Sequence, residues 1–166
     1  MVYPKFYESY TNLVPQGYSL VEELEINLYE CIKFAQNIPM DKFDYTYAEG
    51  KWTIKEILQH LIDCERIFSY RALSIARNET QTLLYFDENL YAATVSENAK
   101  KRHLKGILEE FSHVRLSTIS LLKSLSNDDK LKVGNIGDYQ ISVAAIFSVI
   151  LGHQLHHLQF YSKTYL

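Results

Sequence analysis

The sequence predicts an all-α fold, a four-helix bundle. Three observations carry this expectation: two Ser/Thr-x-x-Glu capping boxes, four stretches in which apolar residues recur every three to four positions, and no strand-like alternation of useful length. The three prolines, Pro4, Pro15 and Pro39, all stand near the start, so nothing from Met40 onward forbids long helices.

Each helix follows from its own residues. In Ser19-Leu20-Val21-Glu22 the hydroxyl can accept from the third helical N–H while the glutamate reaches back. Leu24, Leu28 and Ile32 follow on one face, predicting a helix from about Ser19 to Asn37. Thr53-Ile54-Lys55-Glu56 opens the longest helix, whose apolar arc carries Ile57, Leu61, Cys64, Phe68, Ala72 and Ile75 before Asn78. A third helix is expected from near His103 through Ile107, Phe111, Val114, Thr118, Leu121 and Leu122 to about Ser124. Ser142 can cap the fourth, with Ile146, Val149, Ile150, His153, His157 and Phe160 along one stripe. The links between helices are long, about 15 residues or more where two to eight are usual, and such links permit crossovers. Thr80 to Lys101, with Leu84, Tyr85, Phe86, Leu90 and Tyr91, is expected to pack over the bundle and carry a short helical turn. Ser126 to Ile141, with Gly134 and Gly137, reads as loop.

Composition narrows the function. A chain of 166 residues, 47% of them hydrophobic, suits one domain, 1–166, whose core needs no disulfides. Cys31 and Cys64 therefore read as reduced thiols of a cytoplasmic protein. Seventeen Lys and Arg against 20 Asp and Glu leave a net charge of −3 and no basic tract for nucleic acid. Apolar runs such as Ser142 to Leu151 fall short of the ~20 residues a membrane span needs, and Met1 to Tyr10 lacks a signal peptide's apolar centre. The thirteen tyrosines supply phenols that can line a half-polar cavity.

The chemistry concentrates in Gly152-His153-Gln154-Leu155-His156-His157. At about 100° per residue, His153 and His157 differ by roughly 40° and stand one turn apart, so both imidazoles can reach one ion. They share the stripe of Ile146 and Phe160 and so point into the bundle, where neutral imidazoles need hydrogen-bond partners or a cation. His156, roughly 100° from His157, is the weaker ligand candidate. His60 borders the apolar arc of helix two and can supply a third nitrogen, completing the three-ligand, open-position arrangement of catalytic zinc and related metals. A metalloprotease His-Glu-x-x-His fails because Gln154 stands where the general base would be. A di-iron carboxylate site fails because only Glu110 to His113 offers the required Glu-x-x-His. Cys64, one turn past His60, reads as a small core residue in preference to a fourth ligand or nucleophile, and Cys31 has less claim still. His103 reads as a helix-start residue and His113 as a solvated one.

The sequence resembles the DinB-like superfamily of metal-binding four-helix bundles, which includes bacillithiol and mycothiol S-transferases. The matching residues are Gly50-Lys51-Trp52-Thr53-Ile54-Lys55-Glu56-Ile57-Leu58-Gln59-His60-Leu61-Ile62-Asp63, extended by Glu65-Arg66 and Tyr70-Arg71-Ala72-Leu73. Glu110-Phe111, Val114-Arg115 and Gly152-His153-Gln154-Leu155-His156-His157-Leu158 continue the match. The resemblance implies an up-down-down-up bundle, which would explain the long links. It also implies a metal triad of His60, His153 and His157 holding one divalent ion, nickel or zinc, with solvent in the open positions. Gln154 departs from the glutamate often found in similar proteins. The expected activity is transfer of a small-molecule thiol to a small electrophile, with metal-dependent hydrolysis or a non-enzymatic, metal-stabilised bundle as alternatives. No nucleic acid or membrane partner is expected, and a homodimer is the expected assembly.

Overall fold

The capping boxes close as their residues require. Ser19 Oγ accepts from the Glu22 N–H at 3.3 Å while Glu22 Oε2 accepts from the Ser19 N–H at 2.8 Å, and Thr53 and Glu56 do the same at 3.2 and 2.7 Å. The computed structural model describes residues 1–164, the side chain of Ser96 excepted; the last two residues of the expected domain lie outside the described residues. The chain runs through α1 (Glu8–Thr11), α2 (Leu20–Gln36), α3 (Ile54–Ala76), α4 (Glu88–Lys101), α5 (Leu104–Ser124) and α6 (Asn127–Leu131). A hairpin of β1 (Val133–Ile136) and β2 (Tyr139–Ser142) follows, and α7 (Val143–Thr164) ends it. Ser142 Oγ accepts from the Ala145 N–H at 3.4 Å, capping α7.

Helices α2, α3, α5 and α7 form the bundle, and cross-helix contacts give their directions. Lys123 reaches Glu25 at 2.6 Å and Arg115 reaches Asn27 at 2.9 Å, so α2 and α5 are antiparallel. Arg66 reaches Glu110 at 2.6 Å and Ser69 reaches Thr118 at 2.9 Å, so α3 and α5 are parallel. Lys132 bonds the Ala76 carbonyl at 2.7 Å and itself accepts from Val143 at 2.9 Å, placing the end of α3 at the start of α7. His60, early in α3, meets His153, late in α7, so these two helices are antiparallel. The course is up-down-down-up, with α2 across the bundle from α3. Parallel neighbours demand a crossover, and residues 77–103 supply it.

Two of the links differ from expectation. Where a short helical turn was expected, Asp87 caps the 14-residue α4 by accepting from Asn89 and Leu90, and α4 packs on α3 with Ala92 and Ala99 buried. Where a loop was expected, α6 and a hairpin stand. Four-residue strands are too short to show alternation, and the turn between them needs only Gly137, at φ 54°, followed by Asp138. The hairpin lies on the end of α3 because Gly134 has no side chain: a Cβ there would sit 2.4 Å from Ile75 Cγ1. A third departure is the buried stripe of α2, which runs through Leu24, Asn27, Cys31 and Ala35 while Leu28 and Ile32 are only half-buried.

The core is two apolar clusters separated by a polar layer. One cluster joins the latter part of α3 to the first half of α7 and the hairpin; the other joins the beginnings of α3 and α5 to the end of α2 and to Tyr161. At their junction Arg115, fully buried, donates to Glu65 through two bonds of 2.8 and 2.9 Å, to Asn27 Oδ1 at 2.9 Å, to the Leu24 carbonyl and to Gln154 Oε1. One guanidinium thus ties all four bundle helices together. Its fork matches the carboxylate geometry, and the amide oxygens of Asn27 and Gln154 satisfy N–H groups that would otherwise be buried and unpaired.

Candidate metal centre

Beside that layer the bundle gathers three imidazoles, with His153 in contact with both His60 and His157. The Thr53–Glu56 box sets the start of α3 so that His60 falls in its second turn, facing α7. On α7, Gly152 allows the backbone of α1 to lie directly on the helix, since a Cβ at that position would stand 2.1 Å from the Tyr10 carbonyl oxygen. The Tyr10 ring is thereby held 5.2 Å from His153 and 5.4 Å from His156. His60 Nε2 and His153 Nε2 are 3.2 Å apart, and His157 Nε2 is 3.1 Å from His153 Nε2. The ring centres of His60 and His157 are 5.3 Å apart. Trp52 covers His60 at 4.9 Å between ring centres.

Burial disfavours the imidazolium form at each of these rings. It pushes His60 down to about 4 and His157 down to about 3, and it holds His153 well below the usual range, with the neighbouring histidines adding to the effect on His153 and His157. Neutral imidazoles are the form a metal requires. Their hydrogen bonds do not close without one. An imidazole nitrogen carries either one in-plane hydrogen or one lone pair, yet His153 Nε2 faces two other nitrogens at once. A cation can take the lone pairs of all three rings. Nitrogens at Zn–N distances of about 2.0–2.1 Å in a tetrahedral set would stand roughly 3.3 Å apart, close to the separations of His153 from its two neighbours. His60 and His153 are thus placed to share a metal ion, with His157 beside His153.

Cys64 joins this group in a way the sequence undervalued. His60, Cys64 and His153 form a buried set, able to hold a metal ion, whose ligand atoms all lie within 4.8 Å of one another. Cys64 Sγ is 3.6 Å from His60 Nδ1 and 3.7 Å from Nε2, so it sits beside the ring and off the axis of either nitrogen's lone pair. Burial pushes its thiol up strongly, with Glu88 and Asp63 adding and Arg71 opposing. His156 is exposed, as are His103 and His113, and Glu110 is engaged by Arg66 and Arg102 at 2.6 and 2.5 Å. Gln154 is 1% exposed and turned to Arg115, so it is a structural partner of the guanidinium.

A family model described as the DinB superfamily matches residues 23–160. The chain belongs to the DinB superfamily. Among solved structures, YfiT from Bacillus subtilis is similar to this DinB chain over 90% of its length and 89% of YfiT's, with 16% sequence identity and a TM-score of 0.77. YfiT is described as a probable metal-dependent hydrolase with an unusual four-helix bundle topology, and at this identity the likeness establishes the fold. No curated protein matches the sequence. No helix among the described residues is long and apolar enough to cross a membrane.

In this DinB bundle the histidine cluster is reached from two cavities. One, of about 330 Å³, is lined by Lys51, Trp52, Asn89, His156, His157 and Phe160 among others. The second, of about 280 Å³, is lined by Tyr7, Cys64, Phe68, Arg71, Phe86 and His153 among others. They share no lining residue, and the two histidines that front them are adjacent turns of α7. Phenols do line the second cavity, as the tyrosine count suggested. Sequence reasoning passed over the polar layer and Arg71. A signal existed for the first: Arg115 lies four residues after Phe111 and three before Thr118, and Glu65 four after Leu61 and three before Phe68, so both charges fall on apolar stripes.

Proposed function

We propose that this chain is a metal-dependent enzyme that transfers a small thiol to a small electrophile, with one divalent ion, nickel or zinc, held by His60, His153 and His157. The observation that carries the reading is the pair of separate cavities meeting at His153 and His157, which suits two co-substrates approaching one centre from different sides. When bound, the metal supplies Lewis acidity that lowers the pKa of a coordinated thiol or water into the neutral range. The three imidazoles, kept neutral by burial, are ready ligands at physiological pH. The aromatic walls exclude water and hold the electrophile near the sulfur, which converts a bimolecular encounter into one of high effective concentration. In the transfer a C–S bond forms as the leaving group departs with its electron pair, and the thiol proton passes to solvent. Gln154, bound to Arg115, takes no part as a base.

Hydrolysis is the second reading, favoured by the description of YfiT, and it would use the same ligands with one cavity serving as substrate site. The deciding experiment incubates metal-loaded protein with a haloaromatic and bacillithiol, mycothiol, glutathione or coenzyme A, in parallel with ester and amide substrates. Metal-dependent thioether formation that is lost in His60→Ala supports transfer. Turnover of esters or amides alone supports hydrolysis. Inactivity on both would favour a bundle whose metal serves structure.

A further inference from the structure

Two arginines are buried among the described residues, and they are treated differently. Arg115 has Glu65, two amide oxygens and a carbonyl. Arg71, 3% exposed, has among the described residues a single hydrogen bond, from Nη2 to the Leu84 carbonyl at 2.6 Å, and no carboxylate within ion-pair distance. Its guanidinium carbon lies 5.7 Å from the centre of the Phe68 ring and 5.3 Å from that of Phe86. Aromatic faces attract a guanidinium but do not replace an anion, and a buried cation without one is costly. Arg71 lines the second cavity together with Cys64 and His153.

We propose that Arg71 binds the carboxylate of the electrophile, so that the enzyme's second substrate is a small aromatic-bodied carboxylic acid. The proposal rests on the reading of the metal centre as an enzyme site, and it names the class of molecule that site takes. The cavity fits such a compound at both ends. Arg71 stands seven residues beyond Cys64, about 10 Å of helix rise, and a helical side chain leans toward the N-terminus, here toward Cys64 and the histidines. An acid whose carboxylate lies less than about 10 Å from its reactive atom would span the distance. Between the two ends the walls are aromatic. The Tyr7 and Tyr139 hydroxyls are 3.1 Å apart, and burial pushes the Tyr7 phenol up, which keeps it protonated and neutral. Glu88 is the one acidic side chain lining the cavity among the described residues; it is exposed and forms no ion pair with Arg71, so its negative charge opposes a bound acid.

The test uses phenylacetate and its neutral isostere phenylacetamide as probes, with affinity measured by calorimetry on the purified chain, first metal-free and then with zinc. Phenylacetate should bind at least about tenfold more tightly in both states, because a charge-assisted fork is available to it alone. Arg71→Gln should abolish that preference, Arg71→Lys should keep part of it, and Glu88→Gln should tighten phenylacetate without affecting the amide. Circular dichroism reports whether Arg71→Gln folds; if it does not, the preference of the wild type and the response to Glu88→Gln still decide. Equal binding of the two probes to the wild type, or a preference that survives Arg71→Gln in folded protein, overturns the proposal. The metal-free arm keeps this outcome distinct from that of the enzyme reading: absence of metal-dependent turnover leaves the carboxylate preference standing, whereas equal turnover of acidic and neutral electrophiles sinks the Arg71 subsite alone.

Discussion

Replacing Arg115 with methionine tests whether the polar layer holds the bundle in register. The guanidinium is fully buried, and its removal leaves the Glu65 carboxylate, 3% exposed, without its two bonds of 2.8 and 2.9 Å. Asn27 Oδ1 and Gln154 Oε1 lose their donor in the same step. Stripping one partner from a buried ion pair costs about 3–5 kcal/mol, so Arg115→Met should lose about 4 kcal/mol. For a protein of this size that corresponds to a melting temperature lower by about 8–16 °C. The double variant Arg115→Met/Glu65→Leu removes the stranded charge and should recover at least half of the loss, since an apolar replacement of similar volume is often neutral. Urea denaturation followed by circular dichroism in the presence of chelator gives both values. A single-variant loss below about 1 kcal/mol, or a double variant as unstable as the single, would show that the pair is not what holds the four helices together.

Other expectations follow from the centre itself. His60→Ala, His153→Ala and His157→Ala should each abolish tight zinc binding in a chelator competition while His156→Ala leaves it intact; if Cys64→Ala is as damaging as His157→Ala, the sulfur is a ligand. Metal-free protein should lose stability on acidification between about pH 6.5 and 4: the unfolded chain protonates at the ordinary histidine value, folded His60 resists until about 4, and the unfolded state therefore binds more protons in that window. His60 alone accounts for roughly 3 kcal/mol of that loss over the whole window, and thermal melts of His60→Ala across the same pH range should be flatter. Gly152→Ala forces a Cβ against the Tyr10 carbonyl and should cost about 1–3 kcal/mol in denaturant titrations.

Three of the four bundle helices were legible because their start signals act locally, whatever the helix later packs against: Ser19 and Thr53 open capping boxes and Ser142 caps α7, while α5 was legible from its apolar spacing alone. That His153 would meet His157 and face His60 was legible for a related reason, since helical spacing converts directly into direction. What escaped was set by distant partners. The apolar residues of α4 are few and its burial rests on Ala92 and Ala99, so no strong stripe marked it. The hairpin depends on Gly134 meeting Ile75, a contact across 59 positions that no local pattern announces. Asn27 belongs to the buried stripe of α2 only because Arg115, on another helix, needs its oxygen. Cys64 read as a core residue, and it is one; its second property, adjacency to His60 and His153, required the pairing of α3 with α7.

The crossover course also governs the order of events during folding. His60 and His153 are 93 residues apart in the chain, and a metal centre that needs both cannot exist until α3 and α7 have docked, after the loop-closure entropy of nearly the whole intervening chain has been lost. Contacts of such separation form late and slow the approach to the native state. A divalent ion is therefore a poor nucleus for this chain and a good lock: it should leave the refolding rate nearly unchanged and slow unfolding, because the interactions it makes are absent from the transition state.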